Sequence, residues 1–384
     1  MSHARLSASS AARWINCPPS AKLAEQFPDT GSKYSAAGTL AHKMAELKAR
    51  KHFIEPMGPR TYKSRLKKLQ EDPNYDPGMD AATDAYLDHL KSIAMEFPEK
   101  PFVALEVRVD YSHFAPEGFG TADCVMIYGS DLHIVDYKNG SGIPVEADHN
   151  PQLMLYALGA LKAYEPIFSI ENVHLHIVQP NAGGVKSWDL PVTQLYDWGA
   201  GIIKAAEQAY EGAGEYNPGP WCDDHFCPAR ATCMARAKKM LGLTAVAEAN
   251  PAPALISDDD LGEILTKAAG LEKWIKALQD YAFSAAMGGR RIAGYKLVEG
   301  RRSRDWADDA FNVLRDRGVP DAILWERKPV SVAGLEKALG KKTFSETAGD
   351  QVETKPGKPA LVPASDKRPE WVPAEAAFQE VQDD

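Results

Sequence analysis

The sequence predicts a mixed α/β (α+β) fold in which helices flank a central mixed sheet, followed by a smaller and mostly helical C-terminal region. Between residues 36 and 180 the order of patterns is helix, three strands, helix and strand, which is typical of such a sheet. A long amphipathic pattern beyond residue 257 predicts the helical C-terminal part. The composition, 44% hydrophobic and 25% charged, is close to the average of globular domains.

Hydrophobic spacing predicts the first elements. Residues 36–52 carry apolar side chains at helical intervals, and residues 81–97 repeat a helical pattern. Residues 102–111 alternate instead, which predicts a strand with one apolar face. The alternating residues are Val103, Leu105, Val107 and Val109.

The following segments complete the predicted sheet. Residues 120–129 and 131–140 are two further strand patterns joined by a Gly-Ser-Asp turn, so residues 102–138 predict a three-stranded meander. The elements predicted after it are a helix over 151–164, a strand over 173–180 and a helix over about 193–210.

The predicted organisation has four segments. Residues 1–245 hold the sheet and a cluster of cysteines, and residues 246–256, rich in Ala and Pro, predict a linker. Residues 257–350 open with a helix whose apolar stripe runs from Leu261 to Leu278, and we expect this region to contact DNA or a partner. Residues 351–384 are Pro-rich and end in acidic residues, which predicts a loosely ordered tail.

Composition excludes several classes of protein. A chain of 384 residues is long enough for two or three domains with cores of their own, and no apolar run reaches the roughly 18 residues of a membrane span. The N-terminus lacks the apolar core of a secretory signal, so we expect a reducing cytoplasm, that of a bacterial host cell. The net charge of −9 argues against coating nucleic acid by bulk electrostatics, although a local basic groove is compatible with it.

Two carboxylates and a lysine form the central constellation. Asp136 and Lys138 are two apart on a predicted strand and therefore share one face, and a hairpin brings Asp123 beside them. Two carboxylates can hold Mg²⁺, and a neighbouring lysine can orient water and offset charge on a phosphate, which suits phosphodiester hydrolysis. An exposed, salt-bridged Asp-x-Lys pair is the alternative for the tripeptide alone.

The ordered motifs of residues 5–240 resemble those of the RecB-type branch of the PD-(D/E)XK nucleases. They are LSASSAARWINCPPS near the start, GTLAH at 38–42, GTAD at 120–123, VDYKNG at 135–140, and Gln152 four residues before Tyr156. The resemblance implies a restriction-endonuclease-like core with a Mg²⁺ or Mn²⁺ site. The metal ligands that it implies are His42, Asp123, Asp136 and the Tyr137 carbonyl. Glu106, on the preceding predicted strand, is a secondary candidate, with a solvated strand carboxylate as the equally weighted alternative. For His42 the alternative is a solvated helix face, and for Tyr156 it is a place in the core. The catalytic residues that it implies are Asp123, Asp136, Lys138, Gln152 and Tyr156.

The function expected from this resemblance is a metal-dependent DNA exonuclease that trims DNA ends. In the implied site Lys138 acts on the attacking water, while Gln152 and Tyr156 position Lys138 or DNA. One alternative is a non-catalytic DNA-binding or scaffold protein that retains the fold, and another is an endonuclease. The non-catalytic alternative is disfavoured, because a site that has lost its activity has little reason to keep the carboxylates of Asp123 and Asp136 close together at an electrostatic cost.

Four of the five cysteines are divided one plus three along the chain. Cys17 precedes the predicted sheet, and Cys222, Cys227 and Cys233 follow it. The spacing C-x4-C-x5-C is unusual for zinc, so zinc, another metal group or none remain open from spacing alone, with His225 as a candidate substitute for one thiolate. Members of the same nuclease branch, such as AddB and the CRISPR-associated adaptation nucleases, carry a 4Fe-4S cluster on one cysteine before the core and three after it. That resemblance implies the four cysteines as ligands of a 4Fe-4S cluster.

Basic residues suggest where DNA would lie. Candidates in the C-terminal region are Arg290, Arg291, Lys296, Arg301, Arg302 and Arg304, with a solvated surface as the equally weighted alternative. Candidates in the first segment are Lys63, Arg65, Lys67 and Lys68. The C-terminal region also resembles an uncharacterised, phage-encoded and prophage-encoded nuclease-like family. That resemblance implies recombination or replication in phage, with a single-strand annealing or single-strand-binding protein as a candidate partner.

Overall fold

The computed structural model of the chain describes residues 4–27, 33–142, 144–248, 258–298, 309–318, 320, 324–325 and 330–352. The chain forms two compact units, Met1–Gly289 and Arg290–Asp384. Across the described part of the chain, no helix is both long enough and apolar enough to cross a membrane.

The first unit contains ten α-helices and five strands among its described residues. The helices are α1 Ala11–Asn16, α2 Ser20–Ala24, α3 Lys33–Phe53, α4 Pro59–Gln70, α5 Gly78–Met95, α6 Pro151–Tyr164, α7 Val192–Glu211, α8 Trp221–Asp224, α9 Met234–Glu248 and α10 Asp258–Met287. The strands are β1 Phe102–Asp110, β2 Phe119–Tyr128, β3 Asp131–Tyr137, β4 Asn172–Gln179 and β5 Gly184–Pro191. A short 3-10 helix, Ala8–Ser10, precedes α1.

The five strands form one mixed sheet in the order β1-β2-β3-β4-β5. Neighbours are antiparallel except for β3 and β4, which are parallel and joined through α6. A parallel pair needs such a crossover, because its strands run in the same direction. The predicted mixed sheet, its meander and its flanking helices are therefore confirmed.

Each face of the sheet is covered by its own hydrophobic core. On one face, α6 and α7 pack with the N-terminal helices around side chains that include Trp14, Ile134 and Leu155. On the other, α3 and α5 pack around side chains that include Met44 and Tyr137. We refer to these as the α6 face and the α3 face.

The apolar side chains of β1 change from one face of the sheet to the other at Glu106. Val103 and Leu105 belong to the core of the α3 face, whereas Val107 and Val109 pack on the α6 face, so the prediction that all four share one face is wrong. The cause is the backbone of Glu106, whose φ of 50° is unfavourable for a residue with a Cβ. Two consecutive side chains, Leu105 and Glu106, thereby turn towards α3.

Several elements differ from the prediction. The short helices α1, α2 and α8 were not predicted, nor were α4 and β5, and α9 continues to Glu248, three residues into the predicted linker 246–256. The rest of that linker up to residue 256 lies outside the described residues. The predicted helix beyond residue 257 is confirmed as α10, which belongs to the first compact unit. Its Trp274 is buried, while Leu265, Ile275 and Leu278 of the predicted stripe are exposed.

The described residues of the second unit are largely helical, as predicted. Its helices are α11 Ala310–Asp316, α12 Val332–Leu339 and α13 Lys341–Ala348, followed by a 3-10 helix, Gly349–Gln351. Of the predicted tail, 351–384, only residues 351 and 352 belong to the described part.

Candidate functional site

The sheet opens between β2 and β3 at one end. Their regular pairing ends at Cys124 and Val135, one residue before Asp123 would face Asp136. There the Asp123 Oδ2 atom accepts a hydrogen bond of 2.8 Å from the backbone amide of Tyr137. A side chain thus replaces the missing backbone partner, and both aspartates lie at the opening.

Three potential metal ligands meet on the α3 face of this opening. They are His42 from the middle of α3, Glu106 from β1 and Asp123 from β2, and one ligand atom of each lies within 4.8 Å of those of the other two. The His42 Nδ1 atom is 3.3 Å from Asp123 Oδ1. The unusual backbone of Glu106 directs its side chain here, so we call these three residues the His42 site.

Buried charge dominates the electrostatics of the His42 site. Burial favours neutral imidazole, yet the Asp123 carboxylate beside His42 raises the pKa of this histidine to about 9. For Glu106, burial and the like charge of Asp123 both disfavour ionisation and raise its pKa to about 7. Two carboxylates are therefore held close together at an electrostatic cost, which a bound cation would offset.

A hydrogen-bonded chain lies on the α6 side of the same opening. The Lys138 Nζ atom is 2.9 Å from Asp136 Oδ2 and donates to Gln152 Oε1 at 3.0 Å. The Gln152 amide nitrogen in turn donates to Asp136 Oδ1 and to the Tyr156 hydroxyl, each at 3.2 Å. Gln152 and Tyr156 are one turn apart on α6, as their spacing predicts, and together they fix the position of Lys138.

The Asp136–Lys138 pair lies partly inside the protein. Asp136 is only 2% exposed because α6 packs over β3, and Lys138 is half-buried, so the alternative of an exposed pair is wrong. Burial raises the pKa of Asp136 despite the neighbouring ammonium group. Burial would lower the pKa of Lys138, but the Asp136 carboxylate outweighs this and raises it. Lys138 therefore carries its proton at neutral pH.

The structure rearranges the predicted metal ligands. Glu106, a secondary candidate in the sequence analysis, stands in the group with His42 and Asp123, while Asp136 is engaged by Lys138. Tyr137 contributes its backbone amide to Asp123. The positive φ that orients Glu106 leaves no signature in a strand-like stretch of sequence, so spacing alone does not predict that Glu106 lies beside His42.

The four predicted cysteine ligands converge on one small cavity. Cys17 at the end of α1, Cys222 on α8, Cys227 just after it and Cys233 before α9 all line it, and the first three are buried. The four residues between Cys222 and Cys227 complete α8 and turn back through Phe226, whose φ is 46°, and the Cys227 amide donates a 3.0 Å hydrogen bond to the Cys222 carbonyl. The fifth cysteine, Cys124, lies elsewhere, in the core of the α3 face.

The thiols of this cavity influence one another. Burial is the main cause that raises the pKa values of Cys17, Cys222 and Cys227, and neighbouring cysteines add to it. Four thiols around one cavity are a donor set that can hold either zinc or an iron-sulfur cluster.

The predicted basic residues fall into two groups. Arg290, Arg291 and Lys296 are exposed in the second unit, whereas Arg301, Arg302 and Arg304 lie outside the described residues. The other candidates, Lys63, Arg65, Lys67 and Lys68, are all exposed on α4 of the first unit. His225, the candidate substitute ligand, follows α8, and burial lowers its pKa.

A second titratable cluster was not predicted. On the α3 face, the His176 ring lies 3.3 Å from His89 of α5 and 3.1 Å from His133 of β3, nitrogen to nitrogen. The His133 ring stacks on His174, whose two nitrogens contact Asp131 and Asp189. We call His89, His133, His174 and His176 the histidine cluster. Alternation along β3 and β4 places these rings on one face, but their pairing depends on a parallel register that the sequence does not show.

Comparison with known proteins gives a family but no activity. The family model described as "Protein of unknown function (DUF2800)" matches residues 3–369. Among solved structures, the crystal structure of SSO0001 is 17% identical to this chain, with a TM-score of 0.25. The alignment covers 52% of this chain and 98% of that one.

Proposed function

We propose that this chain, which belongs to the DUF2800 family of proteins of unknown function, is a metal-dependent nuclease that hydrolyses DNA from its ends. The observation that carries the proposal is the opening between β2 and β3, where the His42 site and the Asp136–Lys138 pair meet. The sequence resemblance to RecB-type nucleases supports His42, Asp123, Asp136 and Lys138 as members of this site. The finer statements, an exonuclease of phage or prophage origin, rest on that resemblance.

The His42 site suits a divalent cation. It offers two carboxylates and one imidazole, a donor set that accepts Mg²⁺ or Mn²⁺. Without a cation the Glu106 and Asp123 carboxylates repel each other, as the raised pKa of Glu106 shows. A divalent cation at His42, Glu106 and Asp123 would activate a water molecule and stabilise negative charge on the phosphate. Its binding would require His42 to release its proton.

The chain's own residues would position the reaction. Lys138 has three donor hydrogens, and Asp136 and Gln152 engage two of them, so one remains to point at a water molecule or a phosphate oxygen. Because the pKa of Lys138 is raised, this side chain donates a hydrogen bond and does not act as a base. Tyr156 limits the movement of Gln152 through the 3.2 Å hydrogen bond. The result is a fixed positive charge beside the His42 site.

The cysteine cavity is the proposed site of a 4Fe-4S cluster. The structure brings Cys17 together with Cys222, Cys227 and Cys233 around one cavity although it is far from them in sequence, which supports all four as ligands of one shared metal group. The resemblance implies that this group is a 4Fe-4S cluster, with zinc as the alternative. When bound, such a cluster would link the N-terminal helices to the segment after α7, since Cys17 and Cys222 come from either side of the sheet in sequence.

Hydrolysis of labelled DNA tests the proposal. Linear DNA labelled at its ends and covalently closed DNA are incubated with the purified protein and Mg²⁺ or Mn²⁺. We expect shortening of linear DNA only, which EDTA and the substitution Asp123→Asn abolish. The matched control Asp131→Asn, at the other end of the same face and paired with His174, should leave the activity intact. Equal cleavage of closed DNA would instead indicate an endonuclease, and the absence of metal-dependent cleavage would contradict the proposal.

A further inference from the structure

Helix α4 is the most one-sided basic element among the described helices. Its twelve residues, PRTYKSRLKKLQ, contain five cations and no acidic residue, in a chain where Asp and Glu outnumber Lys and Arg by 53 to 44. The five cations are all exposed: Arg60, Lys63, Arg65, Lys67 and Lys68. Helix α4 is therefore strongly basic although the net charge of the chain is −9.

Few of these cations are neutralised within the protein. Of these cations, only Lys67 forms an ion pair with a described residue, Glu71 at 3.8 Å, and both of these side chains are more than half exposed. Arg60, Lys63 and Lys68 form no ion pair with any described residue. An exposed pair of this kind contributes about 0–1 kcal/mol, so Lys67 can exchange Glu71 for another anion at little cost.

The opposite side of α4 holds the helix on the molecule. Leu66 and Leu69 pack on the core of the α3 face, and the ammonium of Lys51 on α3 lies 3.9 Å from the centre of the Tyr62 ring. Tyr62, Leu66 and Leu69 follow the spacing i, i+4, i+7 and so form one stripe. This orientation turns Arg60, Lys63, Lys67 and Lys68 outward, and we call these four residues the α4 basic face.

The α4 basic face runs beside the helix that carries His42. The start of α4 contacts Lys51, near the end of α3, through Tyr62. At the other end of α4, Gln70 donates to the Asp80 carboxylate of α5, and the Asp80 carbonyl accepts a hydrogen bond from Lys48 of α3. Along α4 the neighbouring residues of α3 thus change from Lys51 to Lys48, in the direction of His42.

We propose that the α4 basic face binds the phosphate backbone of DNA that enters the His42 site. This inference rests on the proposed function, because the α4 basic face would hold the DNA that the His42 site hydrolyses. From Arg60 to Lys68 the helix rises about 12 Å, and one strand of B-DNA presents a phosphate every 3.4 Å or so along the axis, so the face spans about three phosphates. An acidic protein would complement the same charge, but only a nucleic acid contains the phosphodiester bonds that the proposed site hydrolyses.

Binding measured without hydrolysis tests this inference. A fluorescently labelled linear duplex is titrated with the full chain in EDTA at several salt concentrations, and anisotropy gives the affinity. The test variant carries Arg60→Gln, Lys63→Gln, Lys67→Gln and Lys68→Gln. Gln is a good helix former, so we expect an unchanged unfolding midpoint. The affinity should fall at least about tenfold, and the slope of log affinity against log salt should decrease by about two to three.

A matched variant separates this face from net charge. Lys204, Lys238, Lys273 and Lys276 are exposed lysines of the same unit on α7, α9 and α10, and their joint change to Gln removes the same four charges. We expect this control to bind like the wild type. An equal loss in both variants would attribute binding to total charge, and no loss in the α4 variant would assign the face to an acidic protein; either result overturns the inference. Normal duplex binding without metal-dependent cleavage would overturn the proposed function alone.

Discussion

Two clusters of titratable side chains lie on the α3 face of the same sheet, towards opposite ends of β3. Both are largely buried, and both contain histidine. At the His42 site, carboxylates raise the pKa of the histidine to about 9. In the histidine cluster, burial and neighbouring imidazoles lower the pKa of His133 to about 4 and that of His176 to about 3. The same side chain is thus charged in one cluster and neutral in the other.

The difference shows that burial alone does not decide whether a histidine is charged. Neutral rings satisfy one another through nitrogen contacts and stacking, so His89, His133 and His176 need no external ion. The His42 site instead keeps the carboxylates of Glu106 and Asp123 close together, and Glu106 reaches this position through an unfavourable positive φ. A bound cation would therefore stabilise the His42 site and not the histidine cluster.

The largest effect is expected from Lys138→Met. We predict a loss of hydrolysis of about a thousandfold, because the fixed charge beside the His42 site is removed. The variant should also lose about 3 kcal/mol of unfolding free energy, since Asp136 remains buried without its cation. Adding Asp136→Asn should restore most of the stability and none of the activity, as measured by denaturant titration and nuclease assay. Lys162→Met, which breaks an exposed pair with Asp110, is the matched control and should change neither quantity.

The cysteine cavity should respond next. In anaerobically purified protein we predict a brown colour and stoichiometric iron and sulfide, both lost with Cys227→Ser. Loss of a link that spans most of the first unit should lower the unfolding free energy by up to about 5 kcal/mol. The control Cys124→Ala removes a buried thiol from the core and should leave the iron in place. Zinc without iron in the wild type would refute the cluster.

The histidine cluster should set the acid limit of stability. His133 and His176 have pKa values below 6.5 when folded, so the unfolded chain binds their protons first. Their contribution is complete above pH 6.5 and is lost as the pH falls towards 4 and 3, by about 3 kcal/mol for His133. His176→Asn should flatten the fall of the unfolding midpoint between pH 6.5 and 4. The exposed His113→Asn should not, and an unchanged slope in both variants would contradict the prediction.

The smallest effect concerns the backbone of Glu106. Glu106→Asn should raise the unfolding free energy by about 1 kcal/mol, because Asn tolerates positive φ better, while calorimetry should show weaker Mn²⁺ binding. Glu117 provides a matched control, since it is exposed and has a φ of 53°. Glu117→Asn should give a similar stabilisation with unchanged Mn²⁺ binding. Stabilisation with full Mn²⁺ affinity at position 106 would remove Glu106 from the metal site.

Local patterns predicted the core elements well. Helix α6 has the predicted bounds because Asn150 caps it, accepting hydrogen bonds from two backbone amides, and Pro151 occupies its first turn. The strands of the meander follow from their apolar alternation. The unpredicted α4 has only three inward apolar residues among five cations, and β5 is the outer strand, so both carry weak hydrophobic signals.

The candidate site was predictable in membership and less so in arrangement. The ordered motifs selected Asp123, Asp136, Lys138 and Gln152, and the structure brings all four to one opening. The position of Glu106 beside His42 and the burial of Asp136 were not predictable, because they depend on one backbone dihedral angle and on the cover supplied by α6. The histidine cluster was missed since its contacts connect residues far apart in sequence, across a parallel strand pair.

The convergence of Cys17 with Cys233 also bears on how the protein is made. These two residues are the first and last of the four cysteines in the sequence, and β1 to β5 are synthesised between them. At a translation rate of about 5–20 residues per second, Cys17 waits roughly 10–40 s for its last partner. The four thiols can therefore meet only after the whole sheet has been synthesised. A group held by all four would be incorporated late and would join the two ends of this segment.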